Sequence, residues 1–184
     1  MSETDLPEAK GTYVLIAFVP QARRLEIGRL GTYDLIPGFY AYVGSAFGSG
    51  GLHARIHHHL ESTAQPHWHI DYLLRFAEPV EVWYALSDRK PEQDLAEVFE
   101  QSSSFRMPIP RFGSSDYRRS RTSHLFYSRR RPSFHRFQQE VSRAIGERVE
   151  VQQYSMALKI SKNLRPQDEG GRVGGSRDDF AHKI

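Results

Sequence analysis

FYAYVGSAFGSGGLHARIHHHL, residues 39–60, changes its period halfway along. Phe39, Ala41 and Val43 alternate with Tyr40 and Tyr42, the period of two that a β-strand imposes, so the tyrosines share one face. Gly48, Gly50 and Gly51 then interrupt the pattern, and Leu52, Ile56 and Leu60 recur every four residues, as on the buried stripe of a helix. Ser49 stands where an N-cap belongs. Arg55 and His59 are four apart and share a neighbouring face. Strand, glycine turn and helix therefore gather tyrosine, flexible backbone and a fixed cation at one corner. That grouping suits phosphate chemistry, and it equally suits an ordinary β–loop–α corner.

Upstream, GTYVLIAFV (residues 11–19) reads as a buried strand. Leu25 and Ile27 alternate with polar residues on a second strand, with bends at Gly28 and Gly31. Downstream, Pro66 suits the first turn of a helix whose apolar face is Ile70, Leu73 and Leu74. VEVWYAL (residues 80–86) is a further strand, and Pro91 opens a helix with Leu95, Val98 and Phe99 inward. Beyond Pro108-Ile109-Pro110 the chain reads as loop-rich around HLFY (residues 124–127). Ser133 caps a helix carrying Phe134, Phe137, Val141 and Ile145. The order predicts an α+β fold, a small mostly antiparallel sheet flanked by helices, with a basic C-terminal appendage. Residues 1–10 read as a flexible leader, 11–104 as the core, 105–160 as a basic extension packed on it, and 161–184 as a disordered tail.

Composition narrows the function classes. The absence of cysteine excludes a disulfide framework, a thiolate zinc site and a cysteine nucleophile. The polar, acidic start is unlike a signal peptide, and no apolar run is long enough to cross a bilayer, so a cytoplasmic protein is expected. Charge is asymmetric. Residues 1–104 hold 8 basic and 14 acidic residues, net −6, and residues 105–184 hold 17 and 8, net +9. Arg118, Arg119, Arg121, Arg129, Arg130 and Arg131, interleaved with Tyr117, Phe126 and Tyr127, form a candidate nucleic-acid surface, charge for the backbone and rings for stacking.

HWHID (residues 67–71) offers imidazole and carboxylate ligands, but on a helix His67 and Asp71 share a face while His69 turns away. A structural histidine pair around a buried Trp68 is the expectation. His57, His58 and His59 diverge by about 100° per residue and cannot chelate one ion together.

Gly11-Thr12-Tyr13, Tyr42-Val43-Gly44 and Arg55 on the following helix resemble the GIY-YIG nuclease pattern. The runs YAYVGSA, R-I-x-x-H-L, HWHIDYLL, FGSSD and SHLFY are similar to those of a compact subfamily, and the matches span residues 11–127. The resemblance implies a metal-dependent DNA endonuclease, structure- or lesion-directed, in repair or recombination. It matches Tyr13 and Tyr42 to the proton-handling tyrosines and Arg55 to the transition-state arginine. His59 would hold a phosphate or perturb a tyrosine. It also implies a divalent ion, Mg²⁺ or Mn²⁺, on one glutamate: Glu92 by motif, Glu97 as the alternative deeper in the helix. Asp116 and His124 are expected to be structural. Tyr117 and Gln93 stand where relatives carry cysteine, so a thiolate role cannot apply. The rival expectation is a non-catalytic nucleic-acid-binding module on the same fold, and a third option is RNA in place of DNA as the nucleic acid, with DNA favoured.

Overall fold

A computed structural model of the chain describes residues 5–61, 64–89, 91–114, 123–146 and 149–156. These form an α+β fold: strands β1 (Gly11–Val19), β2 (Arg23–Ile27), β3 (Gly31–Leu35) and β4 (Gly38–Ala46), helices α1 (Gly51–Glu61) and α2 (His69–Leu74), β5 (Glu78–Leu86), α3 (Glu92–Gln101), β6 (Leu125–Ser128), α4 (Phe134–Ile145) and β7 (Gln152–Ser155). Five strands make one antiparallel sheet in the order β6-β4-β1-β5-β7, and β2 and β3 make a separate hairpin. Central β1 is covered on both faces, which is why its sequence is an unbroken apolar run rather than an alternating one.

Two cores sandwich the sheet. Tyr13, Leu15, Tyr40 and Tyr42 meet Leu52 and Ile56 of α1 and Ile70 and Leu73 of α2. Val14, Ile16, Ala41 and Val43 meet α3 and α4 on the other side, around buried Trp83. There Phe99 stacks on Phe126 and Phe137, with centroids 5.2 and 4.9 Å away. The expected split of β4, with the tyrosines on one side and Phe39, Ala41 and Val43 on the other, is what the two cores contain.

Three expectations change. The described part of the leader is docked rather than loose: Leu6 is buried, and the carbonyls of Ala9 and Pro7 accept from the amides of Leu52 and His53. Helix α1 begins at Gly51 rather than just after Ser49. Its first amides are satisfied by those leader carbonyls and by the carbonyls of Gly48 and Gly50, so no serine cap is required. The leader passes so close to Gly51 (φ +57°) that a Cβ there would lie 2.3 Å from the Ala9 carbonyl oxygen. The stretch after residue 104 is also no simple appendage: β6 pairs with β4 and β7 with β5, supplying both sheet edges. The predicted tail, 161–184, lies outside the described residues.

Candidate active site

Register sets the first contact. Tyr13 on β1 pairs opposite Gly44 on β4, and its ring lies across that glycine; a Cβ on Gly44 would sit 2.5 Å from the Tyr13 hydroxyl. The hydroxyl instead meets His59 Nε2 of α1 at 2.7 Å. His59 Nδ1 lies 2.7 Å from Asp71 Oδ1 of α2. The other Asp71 oxygen accepts from the amides of His67 and Trp68, at 3.0 and 2.7 Å. Tyr13, His59 and Asp71 are each no more than 1% exposed.

The protons in this chain follow from electrostatics. Burial alone would raise the Asp71 carboxyl, but hydrogen bonds from His59, Trp68 and His67 outweigh it and hold its pKa below the usual value. Asp71 is therefore an acceptor only, and His59 Nδ1 must carry hydrogen. Burial pushes the His59 pKa down despite Asp71, so its imidazole is neutral and Nε2 offers a lone pair. The Tyr13 hydroxyl must then donate to His59.

Burial, and next the neighbouring Tyr42, raise the Tyr13 pKa well above that of a free phenol. Tyr42 is raised as well, by burial and then by the negative charge of Glu92. Arg55 lowers both, but less than burial raises them. The positive charge of Arg55 is therefore not enough to ionise either tyrosine near neutrality. Tyr42 is the nearer of the two to solvent, 7% exposed, with its ring centroid 6.2 Å from that of Tyr13 and 6.4 Å from that of His59. Gly113 (φ +76°) lies so close that a Cβ there would come within 2.9 Å of the Tyr42 ring.

Arg55 is half-buried on α1, its guanidinium carbon 4.8 Å from the centre of the Trp68 ring. Trp68 is not buried as expected but 38% exposed. Asp71 takes the backbone amides of His67 and Trp68 at the start of α2, which leaves the indole outside against Arg55. Gly48, Ser49, Gly51, Arg55, His58 and Trp68 line an open hollow of about 240 Å³. The glycine turn thus makes one wall of a cation-bearing hollow.

Glu92 opens α3, half-buried, with one oxygen 2.9 Å from His124 Nδ1. Its charge reaches both tyrosines. Glu97 lies on the exposed side of the same helix, five residues on and about 140° round. Tyr13, Tyr42, Arg55, His59 and Glu92 are therefore gathered and Glu97 is set apart. Among the described residues no group of three or more His, Cys, Asp or Glu side chains could hold a metal. A single half-buried carboxylate such as Glu92 still fits Mg²⁺, which keeps several waters and takes one or two protein carboxylates together with substrate phosphates.

The arginines divide. Arg129, Arg130 and Arg131 follow β6 on the surface, and Arg131 is tied to buried Glu81 at 3.2 Å. Arg118, Arg119 and Arg121 lie outside the described residues.

The family described as "Domain of unknown function DUF123" matches residues 12–147. The chain belongs to that family. No curated protein and no solved structure matches it. The DUF123 match covers every described member of the corner, from Tyr13 to His124. Two members of this DUF123 site escaped the sequence reading. Spacing sets Asp71 on the face of His67, its neighbour in HWHID, whereas its contact with His59 crosses between two helices. His124 carried no signal beyond its motif, because its partner Glu92 is 32 residues away. No helix among the described residues is long and apolar enough to cross a membrane.

Proposed function

We propose that this chain is a metal-dependent phosphodiesterase of the GIY-YIG type acting on DNA. The observation that carries the reading is the buried Tyr13–His59–Asp71 chain, which ends beside Tyr42 and Arg55 at the corner where the GIY-YIG resemblance matches its tyrosines, histidine and arginine. An isolated polar chain at this depth costs desolvation, and a site that moves protons uses it.

The roles follow from exposure. Arg55, held by Trp68 beside an open hollow, takes the scissile phosphate and offsets charge as it develops. Tyr42, at the less buried end, orients the attacking water. Tyr13 stands behind Tyr42 and is a positioning and relay group: its hydroxyl donates to His59, which Asp71 keeps in the accepting tautomer. A proton received at the tyrosines has a path to His59 Nε2, and the imidazolium so formed faces the Asp71 carboxylate. Glu92, steadied by His124, would hold the divalent ion, whose chemistry is to polarise the phosphodiester and stabilise the leaving oxygen. Cleavage directed by DNA structure or lesion, within repair or recombination, is the biological setting that the resemblance supports.

One observation favours the binding-module alternative: Tyr13 is 1% exposed and its hydroxyl is already engaged. The test separates the two. Purified protein is incubated with flapped, branched and plain DNA and Mg²⁺ or Mn²⁺. Cleavage abolished by Arg55→Ala and by Glu92→Gln but kept in Glu97→Gln supports the enzyme. Salt-sensitive binding with no cleavage under either metal supports the module.

A further inference from the structure

The exposed arginines that follow β6 are grouped rather than scattered. With Arg106 and Arg136 they line a cleft of about 410 Å³, whose wall includes Trp83 and Phe137 of the α3/α4 core. Tyr13, Tyr42 and His59 belong to the other side of the sheet, among the residues packed with α1 and α2 or beside them. Local structure brings the arginines together. Arg106 exchanges two backbone hydrogen bonds with Tyr127 of β6, at 3.0 and 2.7 Å, which sets it beside the exit of that strand. Ser133 caps α4 by accepting from the Arg136 amide, which sets Arg136 on the first turn of the helix. Arg129 and Arg130 bridge the two places.

Arg131 is the informative exception. It gives two hydrogen bonds to one oxygen of Glu81, a carboxylate only 2% exposed. The other oxygen of Glu81 accepts from Trp83 Nε1 and Gln153. That arginine is neutralised and fixes the loop onto β5. Among the described residues, Arg106, Arg129, Arg130 and Arg136 make no ion pair with any carboxylate. Glu140 is the sole acid lining the cleft among the described residues. Four like charges lining one cleft with none of them ion-paired among the described residues repel one another, and low-dielectric walls such as the Trp83 and Phe137 rings focus the resulting positive field. The hydroxyls of Ser128 and Ser133 add polar groups of the kind that position a phosphate.

We propose that this cleft is a second phosphodiester-backbone site, physically separate from the Tyr42–Arg55 corner, which anchors nucleic acid without taking part in cleavage. It rests on the nucleic-acid reading of that corner only for the identity of the polyanion. Planar guanidinium groups match the paired oxygens of a phosphodiester, and the focused positive field supplies affinity without sequence preference. The chain would then hold a strand at one face of the sheet and present it, or a second segment, to the other.

The experiment uses the full chain, fluorescent duplex DNA and EDTA, with anisotropy read across a range of salt. The double variants Arg106→Gln/Arg136→Gln and Arg129→Gln/Arg130→Gln should each flatten the slope of log affinity against log salt by about 2, and weaken binding at low salt by about tenfold or more. Because all four side chains are exposed, circular dichroism should be unchanged. Arg131→Gln should lower the melting temperature while leaving most of the salt slope intact, since its charge is already spent on Glu81. Pyrophosphate should compete with DNA only weakly. Wild-type slope and affinity in both double variants would overturn the site. So would tight pyrophosphate binding that DNA cannot displace, which would mark a pocket for free phosphate instead. Binding is read without metal and without turnover, so a failure here leaves the cleavage reading standing, and the absence of cleavage leaves this one standing.

Discussion

Asp71→Asn changes one atom, and its consequence can be worked out along the buried chain. Asp71 receives three hydrogen bonds, from the amides of His67 and Trp68 and from His59 Nδ1. An asparagine in the same place keeps one acceptor oxygen, which the two backbone amides claim, and turns its NH₂ toward His59. His59 Nδ1 must then become the acceptor, so hydrogen moves to Nε2 and the imidazole donates to Tyr13 instead of receiving from it. Tyr13 loses its proton acceptor with no change of shape. Hydrogen bonds to a charged group contribute roughly 1.5–3 kcal/mol and neutral ones about 0.5–1.5, so three weakened bonds cost about 3 kcal/mol before the relief of burying no charge is counted. A net loss of about 1–3 kcal/mol corresponds to a fall in melting temperature of roughly 2–12 °C for a chain of this size. The decisive measurement is the pair of ¹⁵N shifts of the His59 ring, which should exchange their protonated and bare values between wild type and variant. A variant whose Nδ1 still carries hydrogen refutes the tautomer argument, and with it the assignment of Tyr13 as donor.

Three further outcomes follow from the same geometry. Gly44→Ala would place a Cβ 2.5 Å from the Tyr13 hydroxyl and 3.0 Å from Tyr42; overpacking of this kind costs about 1–3 kcal/mol, and denaturant titration should show it together with loss of the Tyr13–His59 contact by NMR. Stability should also fall in acid. Burial depresses the pKa values of His59 and His69, so their contribution is complete above the unfolded value of about 6.5 and is lost as pH falls through the folded values. Asp71, also depressed in the fold, adds a second loss below about pH 3.9; a flat melting temperature from about pH 7 to pH 4 would contradict the histidine assignments, and no further fall below about pH 3.9 would contradict that of Asp71. Finally, Arg131→Gln leaves Glu81 buried with two of its donors, Trp83 and Gln153. Because the Arg131 side chain is 57% exposed, the full cost of a broken buried pair is discounted to about 1–2 kcal/mol. Thermal melting of that variant beside Arg130→Gln, which should be nearly neutral, checks it.

What was legible in the sequence was what depends on period. Alternation along residues 39–43 gave the tyrosines one face, and the four-residue recurrence of Leu52, Ile56 and Leu60 gave α1 and, with it, the shared face of Arg55 and His59. What was not legible depends on contact between elements. Asp71 and His59 sit on separate helices, and nothing in the spacing of HWHID says that the carboxylate turns back to cap its own helix and leaves Trp68 outside. The leader looked loose because its composition is polar, yet its carbonyls supply what the amides of α1 require. HLFY looked like an apolar patch in a loop because four residues are too few to display a period, and only pairing with β4 reveals a strand.

That last point decides whether the first 104 residues can stand alone. The charge boundary and the Pro-Ile-Pro segment invite a cut there, but the structure argues against it. Removing the remainder strips β6 from β4 and leaves the backbone of Phe39–Tyr42 an open edge. It also removes Phe126 and Phe137 from the stack around Phe99, and Phe134 and Phe137 from the faces of Trp83, a side chain with no exposure in the full chain. Truncating one buried phenylalanine costs about 3–5 kcal/mol, so losing Phe126 and Phe137 alone reaches the roughly 5–15 kcal/mol by which a whole domain is stable. A 1–104 fragment should therefore show no cooperative thermal transition and should bind a hydrophobic dye, whereas a fragment ending after β7 melts cooperatively. If 1–104 melts with a sharp transition, the two edge strands are accessories after all. If it does not, the corner of Tyr42, Glu92 and His124 is assembled from both halves of the chain, and the acidic half cannot carry that site by itself.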